Sequence, residues 1–314
     1  MKGVALVAGN GNLDFAKKVA KRLKSRLIKV DARKFSDTET YVRILESVRG
    51  KDVFIIQSLS EPVNDNLVEL LLLIDAAKRS SAKRINVVIP YLAYTRQDRT
   101  NKPGEPVSAK VVAQMLEATK ADRIITMDLH SPQILGFFGI PVEHLFSFDL
   151  FAHYLKKIKL KNICVVSPDE GAFKKAKDLA EILNTDTALI LKHRPKQEQV
   201  KALKVIGDVK GKNCIIIDDI INTGGTIESA INELKKRKAK DVFVLATHGI
   251  FAKDGLKTIL NAKPKEVIVL DTINQKEKNA KNFKVLTASN LFAEAIKRVS
   301  QGKRLSSMYK RWVL

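Results

Sequence analysis

Cys214-Ile215-Ile216-Ile217-Asp218-Asp219-Ile220-Ile221-Asn222-Thr223-Gly224-Gly225-Thr226 is the stretch whose reading decides the fold. An apolar, β-branched run ending in an acidic pair and then a Thr/Gly turn reads as a buried parallel strand. It delivers a ligand loop to its carboxyl end, the edge where α/β sheets bind ligands. Ile227 to Lys235 continue as a helix pattern, so the turn opens a helix. Small residues, hydroxyls and backbone N–H groups at a helix N-terminus suit a phosphate dianion. No Lys follows the glycines, which separates the turn from a Walker loop. Two carboxylates repel phosphate but accept hydrogen bonds from hydroxyls, so Asp218 and Asp219 are expected to face a diol beside the phosphate. The implied ligand is a sugar phosphate gripped by Asn222, Thr223, Gly224, Gly225 and Thr226.

Outward from this stretch, strand-like runs recur at 4–8, 53–57, 85–89, 123–127, 163–166, 188–191, 242–246 and 267–271, with helical patterns at 13–24, 65–79, 107–119, 171–183 and 226–238. That alternation predicts an α/β fold whose mostly parallel sheets are flanked by helices on both faces. It occurs twice, because Arg123 to His130 holds in the first half the place that Cys214 to Asp219 holds in the second. Two similar domains are predicted, 1–147 and 148–314. A chain of 314 residues with 45% hydrophobic content, 9 Pro and 15 Gly is long and apolar enough to bury two cores.

The net charge of +22 raises the question of nucleic acid. The basic residues are dispersed, though, in runs such as Lys17-Lys18, Lys156-Lys157, Lys174-Lys175 and Lys235 to Lys238, which read as solvated helix faces attractive to anionic metabolites. No specific nucleic-acid partner is expected. No apolar run reaches membrane-span length and the N-terminus enters a strand directly, so neither membrane nor signal peptide is expected and the location is read as cytoplasmic. Cys164 and Cys214 sit in apolar runs and read as small buried hydrophobes.

Other polar strings run off strand ends. Arg96-Gln97-Asp98-Arg99 suits a polyphosphate, since Arg stays charged and binds phosphate oxygens in a bidentate fork. Asp169, in Ser167-Pro168-Asp169-Glu170-Gly171, offers the hard oxygen that Mg²⁺ favours. Phe35, with Asp37 and Glu39 in an exposed turn, could form an adenine platform. Lys192 and Arg194 lie in a charged, Pro-interrupted segment with the composition of a flap closing over phosphates.

The Asp218 to Thr226 string resembles the phosphoribosyl-diphosphate loop of type I phosphoribosyltransferase-fold proteins, with Asn222 where an Asp is usual. The strings at 34–39, 96–99, 127–130, 167–171 and 192–194 resemble, in order, those of the ribose-phosphate pyrophosphokinases, and the likeness covers about residues 9 to 299. In that family a Gly is usual where Thr38 stands. The resemblance implies two type I phosphoribosyltransferase-like domains and the transfer of diphosphate from ATP to ribose 5-phosphate. Its implied ATP residues are Phe35, Asp37, Glu39, Arg96, Gln97, Asp98, Arg99 and His130. Asp218, Asp219, the 222–226 turn and Arg194 are implied to hold ribose 5-phosphate, His130 and Asp169 to hold Mg²⁺, and Lys192, Arg194 and His130 to act in catalysis. It also implies self-association, with an ATP site shared between subunits. Two alternatives share the sugar-phosphate loop: a phosphoribosyltransferase, and a non-catalytic regulatory relative.

Overall fold

Apolar strands in parallel register form the centre of each of two units. The computed structural model describes residues 3–193, 202–275 and 280–309. One unit holds the described residues of 3–146, 271–274 and 287–309, the other those of 147–270 and 275–286.

The first unit runs β1 (Val4–Ala8), α1 (Leu13–Arg22), β2 (Val30–Lys34), β3 (Thr40–Ile44), β4 (Asp52–Ile56), α2 (Val63–Arg79), β5 (Arg84–Ile89), α3 (Ser108–Ala118), β6 (Arg123–Met127) and β7 (Val142–Leu145). Its main sheet has the order β1-β4-β5-β6-β7, parallel throughout. All five residues of β4 are buried, as a strand covered on both faces requires. Strands β2 and β3 form a separate antiparallel hairpin.

The second unit runs α4 (Phe148–Lys157), β8 (Ile163–Ser167), α5 (Phe173–Leu183), β9 (Asp186–His193), β10 (Ala202–Ile206), β11 (Asn213–Ile221), α6 (Gly225–Lys236), β12 (Asp241–Gly249), α7 (Gly255–Asn261), β13 (Glu266–Leu270) and β14 (Phe283–Leu286). Seven strands lie in the order β10-β9-β8-β11-β12-β13-β14. Only β9 and β10 pair antiparallel. Strand β11 is central, and one face of it packs under α6 and α7 through Cys214, Ile216, Ile227, Ile231 and Ile259. Cys164 and Cys214 are buried and unpaired, and burial pushes their thiols up to about 11 and about 12. They are inert packing residues, as the sequence implies.

The expected second domain, 148–314, differs from the observed unit at its far end. Helix α8 (Ser289–Ser300) belongs to the first unit. Its buried stripe of Phe292, Ala293, Ala295 and Ile296 lies on α1, where Phe15 and Phe292 meet edge to face with centroids 5.3 Å apart. Asp271 ties the return in place: Oδ1 accepts from the Ala288 N–H at 2.9 Å, Oδ2 meets Lys18 Nζ at 2.8 Å, and its carbonyl accepts from Asn12 Nδ2 at 2.9 Å. An amphipathic helix must bury its stripe, but the stripe does not name its partner, so its place on α1 is not written in the local pattern.

Both rings of the α1–α8 contact are essentially inaccessible. Phe292→Ala is therefore expected to cost about 3–5 kcal/mol, the range for a buried Phe truncated to Ala. Denaturant unfolding followed by circular dichroism checks this.

Candidate active site

The carboxyl end of β11 carries the acidic pair. Pairing with β12 extends through Ile221, with Asp218 opposite Ala246, so both acids lie within the strand, which is longer than its apolar run. Asp219 is buried and forms an ion pair of 2.7 Å with Lys175 of α5. Asp218 is half-buried, and its carboxyl oxygen Oδ1 accepts the Asp219 backbone N–H at 2.8 Å. Burial and then the neighbouring Asp219 charge hold the Asp218 carboxyl well above the ordinary carboxylate range; Asp169 adds to the rise and Lys175 opposes it.

Asp169 reaches this edge because β8 is the parallel neighbour of β11, with Ile216 opposite Val166. The turn after β8 is fixed by Ser167 Oγ, which donates to the Asp169 carbonyl at 2.6 Å, and by the Ala172 N–H, which donates to Asp169 Oδ1 at 3.1 Å. Next comes the loop Asn222–Gly224. Gly224 has φ +81°, and a Cβ there would lie 2.6 Å from the Gly255 carbonyl oxygen. A Cβ on Gly255 would in turn lie 2.3 Å from the Asn222 carbonyl oxygen. Backbone thus presses on backbone where α6 and α7 begin, which only glycine permits at these two positions. Gly224 caps α6 without a side-chain hydrogen bond, and Thr223 and Gly225 are exposed.

The first unit repeats this edge with different chemistry. Strands β5 and β6 are parallel neighbours, with Ile89 opposite Thr126, so the loops that follow them leave the same side of the sheet. After β5, Tyr94 turns the chain at φ +65°, the Gln97 N–H donates to the Tyr94 carbonyl at 3.1 Å, and the Ala109 N–H donates to the Gln97 carbonyl at 3.2 Å. Ser108 Oγ also bonds to Gln97 Oε1. Gln97 thus anchors the loop to α3, leaving Arg96 and Arg99 exposed and Asp98 half-buried. After β6, Asp128 takes φ +40° and the Leu129 N–H donates to His144 Nε2 at 2.9 Å, which places His130 in solvent.

Phe35, Asp37 and Glu39 are exposed on the β2–β3 turn. The turn is closed by the Phe35 N–H to the Glu39 carbonyl at 2.8 Å and by the Glu39 N–H to Asp37 Oδ1 at 3.1 Å. Phe35 stacks edge-on against Tyr41 at 5.5 Å. Thr38 has φ +75°, so a β-branched residue occupies a conformation that glycine adopts readily. Among the described residues no hydrogen bond or ion pair joins this turn to the Arg96–Arg99 loop. Lys192 lies on β9 opposite Leu203. Arg194 and the expected flap lie outside the described residues. Among the described residues no three His, Cys, Asp or Glu side chains gather as a metal site, and no helix is long and apolar enough to cross a membrane.

The model of the N-terminal domain of ribose phosphate pyrophosphokinase matches residues 4–119, and that of the phosphoribosyl synthetase-associated domain matches residues 192–310. The ribose-phosphate pyrophosphokinase of Aquifex aeolicus is 45% identical over 310 residues, covering 98% of this chain and 100% of the relative. The chain belongs to the ribose-phosphate pyrophosphokinase family. The pyrophosphokinase of Fusobacterium nucleatum is 43% identical over 309 residues, 98% of both chains. The crystal structure of phosphoribosylpyrophosphate synthetase from Mycobacterium smegmatis superposes with a TM-score of 0.91 at 39% identity, covering 96% of this chain and 100% of that one.

The sequence reading missed Lys175. Lys174-Lys175 reads as a solvated pair, yet Lys175 stands beside the apolar stripe of Ala176, Leu179 and Ala180 and turns to the buried Asp219. The only sequence signal is its place two residues into the helix after the acidic turn, which does not say which strand the side chain meets.

The raised Asp218 carboxyl has a stability consequence. The folded protein holds the Asp218 proton more tightly than the unfolded chain, so stability falls as pH rises from the ordinary Asp value through the raised one. Asp218→Asn is expected to raise the thermal midpoint at pH 8, with the gain shrinking towards zero near pH 4. Parallel thermal scans of parent and variant across that range check the sign.

Proposed function

We infer that this chain transfers the diphosphoryl group of ATP to the 1-hydroxyl of ribose 5-phosphate, giving 5-phospho-α-D-ribose 1-diphosphate and AMP. The observation that carries the reading is that one chain holds two ligand loops: a glycine-built loop beside an acidic pair in one unit, and an anchored, arginine-bearing loop followed by His130 in the other. Whole-length similarity to pyrophosphokinases supports it. A phosphoribosyltransferase would have no use for the Arg96–Arg99 loop.

In the reaction the sugar O1 attacks the β-phosphorus, an O–P bond forms, and the bond from that phosphorus to the α-phosphate oxygen breaks, releasing AMP. Little covalent chemistry falls to the protein, so positioning and charge neutralisation supply most of the rate. Asn222 to Thr226 hold the 5-phosphate through backbone N–H groups at the start of α6. Asp218 and Asp219 accept from the 2- and 3-hydroxyls. Arg96 and Arg99 fork the triphosphate, with Gln97 and Asp98 shaping their loop. Lys192 and Arg194 meet the transferring phosphates. Phe35, Asp37 and Glu39 serve adenine, in an ATP site completed by a second copy of the chain, as the family resemblance implies.

Asp169 and His130 are the residues that would hold Mg²⁺. The donor chemistry fits, because Asp169 adds to the charge that lifts the Asp218 carboxyl, a repulsion a cation relieves. Each offers a single protein ligand to an ion of its own, which suits Mg²⁺, since it keeps several waters and completes its shell with substrate phosphates. Bound there, the ion neutralises triphosphate charge. The cytoplasm, where ATP is abundant and thiols stay reduced, is the compartment we assign.

A cation that meets the transferring group only in the transition state affects kcat rather than KM. Lys192→Ala is therefore expected to lower kcat at saturating Mg-ATP by at least about a hundredfold, by analogy with loss of an oxyanion donor at about 3–4 kcal/mol. KM for both substrates should move much less. Steady-state measurement of AMP release, with ribose 5-phosphate omitted as the control, tests the reading. Near-parental turnover would remove Lys192 from the site.

A further inference from the structure

The opposite edge of the second sheet carries a feature that the proposed reaction does not use. In a parallel sheet, chains returning from helices enter the strands along one edge, and here three adjacent entries bring lysines to a single concavity of about 520 Å³. Lys240 precedes β12, Lys263 and Lys265 precede β13, and Lys281 precedes β14. Asn282 Nδ2 donates to the Pro264 carbonyl at 3.2 Å and holds two of these entries together. A fifth lysine, Lys235, is already engaged: its Nζ donates to the Ala262 and Lys263 carbonyls at 2.7 and 2.8 Å, capping the end of α7. One carboxylate lines the cavity, Asp241, and it stands 4.0 Å from Lys265 Nζ.

Lys240, Lys263 and Lys281 therefore line one cavity with no ion pair of their own among the described residues. Three like charges around one cavity repel one another, and an anion with several charges relieves that repulsion. The volume lies within the range of small-molecule sites. No aromatic ring and no Arg line it, so it has no platform for a base and no planar fork. Lysines alone bind phosphates as point charges.

We propose that this cavity binds a short polyphosphate chain, either free inorganic polyphosphate or the phosphate tail of a nucleotide, at a site separate from the proposed catalytic residues. The proposal stands independently of the reaction assigned above. Calorimetric titration of the full chain with inorganic tripolyphosphate tests it, using K240Q/K263Q/K281Q beside a control, K21Q/K156Q/K236Q, that removes the same charge from exposed helix positions elsewhere.

The parent and the control should show a tripolyphosphate site that the cavity variant lacks or binds at least about tenfold more weakly. All three proteins should produce AMP from Mg-ATP and ribose 5-phosphate at the same rate when tripolyphosphate is absent. ATP competing for the site as well as tripolyphosphate does would identify a nucleotide tail as a source, and failure of ATP to compete would leave the inorganic chain. Equal binding by parent and cavity variant, or equal weakening in the control, would overturn the proposal. So would orthophosphate binding as tightly as tripolyphosphate, or a single-stranded RNA as the only anion sensitive to the cavity variant.

Discussion

Two adjacent carboxylates are held at the end of a central, buried strand, and much of the second unit answers that constraint. A buried carboxylate must find a counter-charge, find donors or take up a proton. Asp219 finds Lys175 at 2.7 Å. Among the described residues Asp218 has no such ion pair, and burial beside the Asp219 charge drives it towards its protonated form. The strand is therefore stable with one acid compensated and the other waiting. In the proposed reaction, sugar hydroxyls donating to Asp218, with a cation nearby, would supply that compensation. The affinity of the site and the strain in its free state then share one origin, which is why a neutral Asn at 218 should stabilise the fold.

The loop beyond the acids follows a second constraint, close approach of backbone. Gly224 and Gly255 leave no room for Cβ atoms, so the start of α6 is fixed against the start of α7 by main-chain contact. In the proposed reaction, a phosphate bound there would meet N–H groups that are already positioned and would lose little binding energy to ordering the loop. In the first unit the equivalent edge is fixed by side chains instead: Gln97 against Ser108 and His144 against the Leu129 N–H. The two units thus fix the corresponding edge by different means, main chain in one and side chains in the other.

The sequence made the parallel strands legible because strands buried on both faces are continuous apolar runs, as in β4 and β13. Strands β7 and β14 are short and mostly half-exposed, and their mixed residues carry no such run. Loop strings were legible because glycine pairs, arginine pairs and acids at strand ends have few structural uses. What pattern could not supply was partnership. Nothing local names α1 as the cover of the α8 stripe, and Lys175 was readable as a helix residue but not as the partner of Asp219. Both contacts join residues distant in the chain, and geometry alone selects them. Thr38 shows the reverse: a residue that local preference disfavours keeps φ +75° because the turn closed by Phe35 and Glu39 imposes it.

The central claim is that one β-phosphorus moves, with the γ-phosphate still attached, from nucleotide to sugar. Incubating the protein with Mg²⁺, ribose 5-phosphate and ATP carrying ³²P at the β position follows that atom directly. The account requires the label to appear in the sugar 1-diphosphate, in equal amount to unlabelled AMP. Label recovered in ADP would mean transfer of the γ-phosphate alone, and label in free pyrophosphate from the outset would mean hydrolysis; either result would contradict it.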